Sequence, residues 1–196
     1  MGTEFLSDYI LKNYEVHEWK HACAILKYDF PNEWNDLIEL LSNFRLKKSW
    51  IIAGGGSKSQ ISSSIDSFLY EKKWIEKEFD TAVMVDEELM ESPTHKVDCY
   101  KNHVALEIEW NNKDPFFDRD LNNFRLLFDL RAISVGIIIT RCDNLQKVFN
   151  EIGKGSSYGN STTHMSKLLP RIEGGSGGGC PILVFGIKKN IIDETC

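Results

Sequence analysis

The chain has 196 residues, 42% hydrophobic and 27% charged, with a formal net charge of −6. That length suits one domain with a substantial core, the composition is that of a soluble globular protein, and no apolar run reaches the roughly 20 residues needed to span a bilayer. The acidic balance argues mildly against nucleic acid as a partner, but a nuclease needs acidic metal ligands and can confine its basic contacts to one cleft.

The N-terminus carries Glu4 and Asp8 and lacks a basic region followed by an apolar stretch, so no signal peptide is expected. Five cysteines (Cys23, Cys99, Cys142, Cys180 and Cys196) make an odd, irregular set without C-x-x-C. This pattern fits reduced thiols in a cytoplasm better than a disulfide framework or a zinc ribbon. With no internal repeat and no linker, one domain over residues 1–196 is expected.

From Phe5 to about Phe30, apolar residues recur at three- and four-residue spacings, which predicts a helix. Pro31-Asn32 breaks it, and a second helix is expected from Glu33 to about Phe44. Ser49-Trp50-Ile51-Ile52 leads into the glycine-rich connection 53–59, followed by a helix from about Ser62 to Lys73. Phe79 to Val85 alternates like a strand, and Glu87 to Pro93 reads as an acidic loop. Two strands around a Lys101-Asn102 turn come next, over residues 95–110, then a polar loop to Pro115 and a helix over Phe116 to Ala132. The β-branched run Val135 to Thr140 predicts a buried central strand. A short helix from Leu145 to Ile152, a polar loop, helical residues 165–169, a flexible glycine run at 174–179 and a last buried strand at 181–187 complete the chain. The expected class is α/β (α+β), helices first, then a mixed sheet flanked by helices.

His17-Glu18-Trp19-Lys20-His21 matches the H-E-x-x-H zinc-protease helix, which sets both histidines on one helical face. Ala24 and Lys27 stand where the extended form of that motif has glycine and a third histidine, and Glu33 or Glu39 would have to complete the site. Paired histidines four apart are also common on solvated helix faces. Gly54-Gly55-Gly56-Ser57-Lys58-Ser59 lacks the spacing of a nucleotide phosphate loop. It reads either as a plain loop or as a backbone-and-Lys58 contact to a DNA phosphate.

The hairpin carries the more specific chemistry. Period-two alternation puts Leu106, Ile108 and Trp110 on one strand face and Glu107 and Glu109 on the other. Two adjacent carboxylates repel each other and are costly to desolvate unless a cation lies between them and Asp98. The alternative is a solvated acidic face. Hard carboxylate oxygens in a cluster suit Mg²⁺ rather than zinc.

The segments Thr94 to Tyr100, Val104 to Phe117, Gly136 to Arg141 and Thr162 to Arg171, with the glycine run and the strand Cys180 to Ile187, resemble the BglII/BstYI family of type II restriction endonucleases. BamHI is a more distant relative. The similarity covers most of the chain and is strongest from about residue 94 to 187. It implies a PD-(D/E)xK fold, Mg²⁺-dependent cleavage of double-stranded DNA at a short palindrome, a homodimer and a protective DNA methyltransferase in the same cell. Asp98 and Glu107 match the family's metal-binding pair. Glu109 falls where the wider superfamily has lysine, BglII-like enzymes glutamine and BamHI-like enzymes glutamate, so metal ligand, general base and water-positioning group all stay open. Asn111 and Asn112 follow the second strand where such enzymes place base-contacting residues, and the loop with Lys154, Ser156 and Ser157 resembles a second recognition segment. Lys58, Lys101 and Lys113 are candidate phosphate contacts, and a GATC-centred site is implied by the relatives. A fold-sharing DNA binder without cleavage is the alternative from another class.

Overall fold

The computed structural model describes residues 2–53, 58–91 and 94–193. After a 3₁₀ turn at Gly2–Phe5, helix α1 spans Asp8–Asn13 and strand β1 spans Tyr14–Trp19. Helices α2 (Ala22–Asp29) and α3 (Pro31–Asn43) follow, then β2 (Leu46–Lys47), α4 (Lys48–Ala53) and α5 (Gln60–Glu71). Strands β3 (Ile75–Lys77), β4 (Ala82–Val85), β5 (Glu88–Glu91), β6 (Val97–Lys101) and β7 (Val104–Glu109) precede α6 (Phe116–Asp129). The chain closes with β8 (Val135–Arg141), α7 (Leu145–Glu151), α8 (Met165–Glu173), β9 (Ile182–Ile187) and β10 (Ile192–Asp193).

Six strands form one mixed sheet in the order β1-β9-β8-β7-β6-β3. The central three, β7, β8 and β9, run parallel, and the outer ones are antiparallel to their neighbours. Every residue of β7, β8 and β9 is buried, as expected for a parallel core covered on both faces. Val104, Leu106, Ile108, Val135, Ile137, Ile139, Leu183 and Phe185 face a core shared with α1 to α5 and α7. Ala105, Ile138, Ile182 and Val184 face a smaller core built with α6 and α8. Gly136 on β8 lets α6 approach closely, since a Cβ there would lie 2.4 Å from the Phe124 ring. The mixed sheet with helices on both faces agrees with the fold expected from the sequence.

Five local expectations are corrected. The predicted helix from Phe5 to Phe30 is broken by β1, an edge strand antiparallel to β9. Lys20 and His21, with φ of 55° and 60°, turn the chain between β1 and α2 without a glycine to announce it. The acidic stretch 87–93 supplies β5, which pairs with β4 across Asp86 and Glu87, both at positive φ. Residues 48–53 form α4. The acidic hairpin turns at Asn102 and His103 (φ 43° and 64°), since Lys101 still pairs with Val104. The glycine run 174–179 is a succession of turns with Gly177 buried against Ile182 and Leu121.

The strand also removes the zinc-protease reading. His17 and Glu18 are strand neighbours and His21 caps α2 in the left-handed region, so the motif has no common helical face. His17 Nε2 instead meets Glu15 Oε1 at 2.9 Å, and Glu18 accepts the backbone N–H groups of Gly2 and Cys23. Among the described residues no helix is long and apolar enough to cross a membrane.

Candidate active site and nucleic-acid interface

Strand β7 points Glu107 and Glu109 away from the larger core and toward α6, on the face of Ala105. Both are 1% exposed, so the carboxylate face of the hairpin is covered and not solvated. Asp98, half-buried on the neighbouring β6, stands beside them. Its backbone N–H donates to Glu107 Oε2 at 3.4 Å, and its own Oδ2 accepts from Ile108 N–H at 3.0 Å.

Helix α6 adds a fourth acid, Asp120, which is fully buried. Arg119 crosses its outer side, donating to Asp120 Oδ1 at 2.8 Å and approaching Glu109 Oε1 at 3.5 Å. The Asp120 carboxyl group lies beside that of Glu109. Burial, reinforced by the neighbouring acids, pushes Glu107 well above the usual carboxylate range. Burial and Asp120 raise Glu109 to about 9, and burial raises Asp120 to about 6.

This cluster has unmet demand for a cation. Glu107 Oε1 and Asp120 Oδ2 are buried without a hydrogen-bond partner. Among the described residues, no three His, Cys, Asp or Glu side chains are already arranged to hold an ion. Mg²⁺ asks for less than that: it binds through one or two carboxylates and fills its octahedron with waters and substrate phosphate oxygens. The all-oxygen donor pair Asp98 and Glu107 fits such an ion.

The two loops expected to meet DNA are joined to each other. Asn111 (φ 60°) turns the chain after β7, and Asn112 follows. The Asn112 N–H donates to Thr163 Oγ1 at 3.1 Å, Thr163 N–H to Asn112 O at 2.8 Å, and Asp114 N–H to Ser161 O at 3.0 Å. Lys113 pairs with Thr162 in an isolated bridge. Tyr158 anchors the second loop from below, its ring stacked on Phe149 at 4.0 Å. The buried Arg141 guanidinium staples the same loop through Tyr158 O at 3.1 Å and Thr162 Oγ1 at 2.9 Å. Above them, Lys113, Ser156 and Ser157 are exposed and Lys154 is half-buried. The half-buried side chain of Asn112 donates from Nδ2 to Glu109 Oε2 at 2.9 Å.

Two predicted phosphate contacts are occupied elsewhere. Lys101 is held by Asp36 at 2.7 Å and by the Lys72 carbonyl at 3.0 Å, under α3. Lys58 is ion-paired with the buried Asp66 of α5. Gly54 to Ser57 of the glycine-rich loop lie outside the described residues, and Ser59 caps α5 by accepting from Ser62 N–H at 3.0 Å.

Asp120, Arg119 and Thr163 are residues of the candidate site that sequence reasoning missed. A signal for Asp120 existed: it shares the inner stripe Phe117, Asp120, Leu121, Phe124 of α6, where an acid has no reason to be unless it meets a polar partner inside. A family model described as restriction endonuclease BglII/BglIII matches residues 14–187. A search of curated proteins returned no match.

Proposed function

Because the chain belongs to the BglII/BglIII restriction endonuclease family of DNA-hydrolysing type II enzymes, we propose that it cuts both strands of duplex DNA at a short palindromic site in a Mg²⁺-dependent reaction. The observation that carries this is the Asp98–Glu107–Glu109 cluster, its two glutamates buried and Glu107 Oε1 unpartnered, beside the loop that follows β7 and is joined to the loop before α8.

Asp98 and Glu107 would hold the ion. When bound, Mg²⁺ supplies an acidified water and neutralises charge on the phosphodiester. The chain's own part is positional and protic. The backbone bonds between β6 and β7 fix the Asp98 and Glu107 carboxylates in one arrangement. Glu109, oriented by Asn112 and Arg119, is placed to take a proton from the attacking water once a bound cation has lowered its raised pKa and returned it to the carboxylate form. Lys113, Lys154, Ser156 and Ser157 are proposed phosphate and sugar contacts, and Asn111 and Asn112 base contacts.

A two-fold dimer matches a palindromic site by symmetry. Work in the cytoplasm, beside a methyltransferase that protects the host site, follows from the same reading. A GATC-centred core is the first site to try. Plasmid DNA incubated with the protein and MgCl₂ should give discrete fragments, and sequencing their ends should return one palindrome. Intact plasmid together with gel retardation would point instead to a binder that does not cleave.

A further inference from the structure

Asn112 lies where the catalytic strand, the first loop and the second loop meet. Its main chain is fixed on both sides by Thr163. Its carboxamide is turned back three residues, by the left-handed Asn111, onto Glu109 Oε2 at 2.9 Å. Arg119 makes a longer contact to the other Glu109 oxygen, at 3.5 Å, with the Asp120 carboxyl beside it. The Asn112 amide is therefore the closer of these two restraints on the orientation of Glu109.

A carboxamide has two N–H donors and one carbonyl acceptor held in a plane. One N–H is used on Glu109. The second N–H and Oδ1 remain, and together they form the donor–acceptor pair that matches the major-groove edge of adenine. One rigid group can thus hold the carboxylate and read a base at once.

We propose that Asn112 is a positioning residue that couples base recognition to catalysis: a matching base fixes the amide plane, and the amide plane fixes Glu109. A wrong base draws the amide toward other partners and takes the N–H away from Glu109, so the reaction slows even on DNA that stays bound. This inference rests on the nuclease reading above and adds a cause of specificity that acts on turnover rather than on affinity.

The test uses duplex oligonucleotides that carry the site recovered from sequenced fragment ends, and all its single-base variants. With the wild-type protein, a base change at the position Asn112 reads should lower kcat as well as raise KM. Asn112→Ala, and the isosteric Asn112→Asp, which replaces the donor with a repelling carboxylate, should cut kcat on the intact site by roughly 100-fold. In both variants the kcat ratio between the intact site and its variants should collapse toward one. A raised KM with unchanged kcat would reduce Asn112 to a base reader and overturn the coupling. An equal fall in kcat on every duplex, ratio preserved, would reduce it to structural support. Wild-type protein that cleaves none of these duplexes, nor plasmid, in MgCl₂ overturns the nuclease reading itself, and the inference with it.

Discussion

Asp98 and Glu107 are tied across the hairpin from Asp98 N–H to Glu107 Oε2 at 3.4 Å, and the next residue of that strand, Ile108, donates its N–H to Asp98 Oδ2 at 3.0 Å. Both carboxylates are thereby oriented by backbone, which is the least flexible support a fold offers. The remaining Glu107 oxygen has no partner. The ligand-free fold holds this acid at a cost that a bound cation would remove.

The first prediction is therefore a stability signature. Glu107, Glu109 and Asp120 all have carboxyl pKa values raised by burial, to about 9 for Glu109 and about 6 for Asp120, from ordinary values of 4.5 and 3.8. The folded state binds protons that the unfolded chain has released, so their contribution is present at low pH and is lost as pH rises through the folded values. Without metal, Glu107→Gln should raise the thermal midpoint by about 2–6 °C at neutral pH. With MgCl₂, the wild-type midpoint should rise, more at pH 8 than at pH 6, while the variant stays unmoved. Differential scanning calorimetry in EDTA and in MgCl₂ checks both.

A second pH effect has the opposite sign. Burial, and then the Arg141 charge, lowers the pKa of His164, which sits at the start of α8 against Arg141 Nη2 at 3.4 Å. The unfolded chain takes up this proton near pH 6.5 before the folded chain does, so stability falls as pH drops below that value. His164→Asn should flatten that part of the profile. The slope of wild-type minus variant unfolding free energy between pH 7.5 and 5.5 measures it, and equal slopes would reject it.

DNA affinity should sort the lysines by their partners. Lys113→Ala and Lys154→Ala should each weaken binding to any duplex and reduce the salt slope by about one counterion. Lys101→Ala should leave the slope alone and lower stability, because its ammonium already neutralises Asp36. Fluorescence anisotropy titrations across a salt series separate the two behaviours.

Packing around the site gives a fourth outcome. Gly136→Ala places a methyl 2.4 Å from the Phe124 ring, so α6 must shift, at a cost of about 1–3 kcal/mol. Since α6 carries Arg119 and Asp120, cleavage should fall as well. Phe124→Leu in the same chain should restore part of both. Urea unfolding of the single and double variants provides the check.

The hairpin was legible because a period of two is a strong pattern, and its register alone places Asp98, Glu107 and Glu109 together. Alternation could not say whether the acidic face is wet, since that depends on α6, which is distant in sequence and crosses over it. The first strand was illegible for a different reason. Tyr14 and Val16 alternate for too short a stretch, and α2 follows at once with helical spacing that masks the break at Lys20 and His21. Asp120 hid as an ordinary charged helix residue until the stripe Phe117, Leu121, Phe124 showed which way it points. The link from Asn112 to Glu109 needed a backbone turn at a non-glycine residue, Asn111, and the Thr163 clamp from fifty-one residues away.

The central claim is that Asp98 and Glu107 hold the metal for DNA cleavage. The most direct measurement compares wild-type protein with Glu107→Ala on plasmid DNA in MgCl₂ and in EDTA, with gel retardation of the same DNA alongside. The account predicts discrete fragments from the wild type only, lost on chelation, and retained DNA binding by a folded Glu107→Ala that does not cut. Cleavage by Glu107→Ala at the wild-type rate, or wild-type cleavage that survives EDTA, would contradict it.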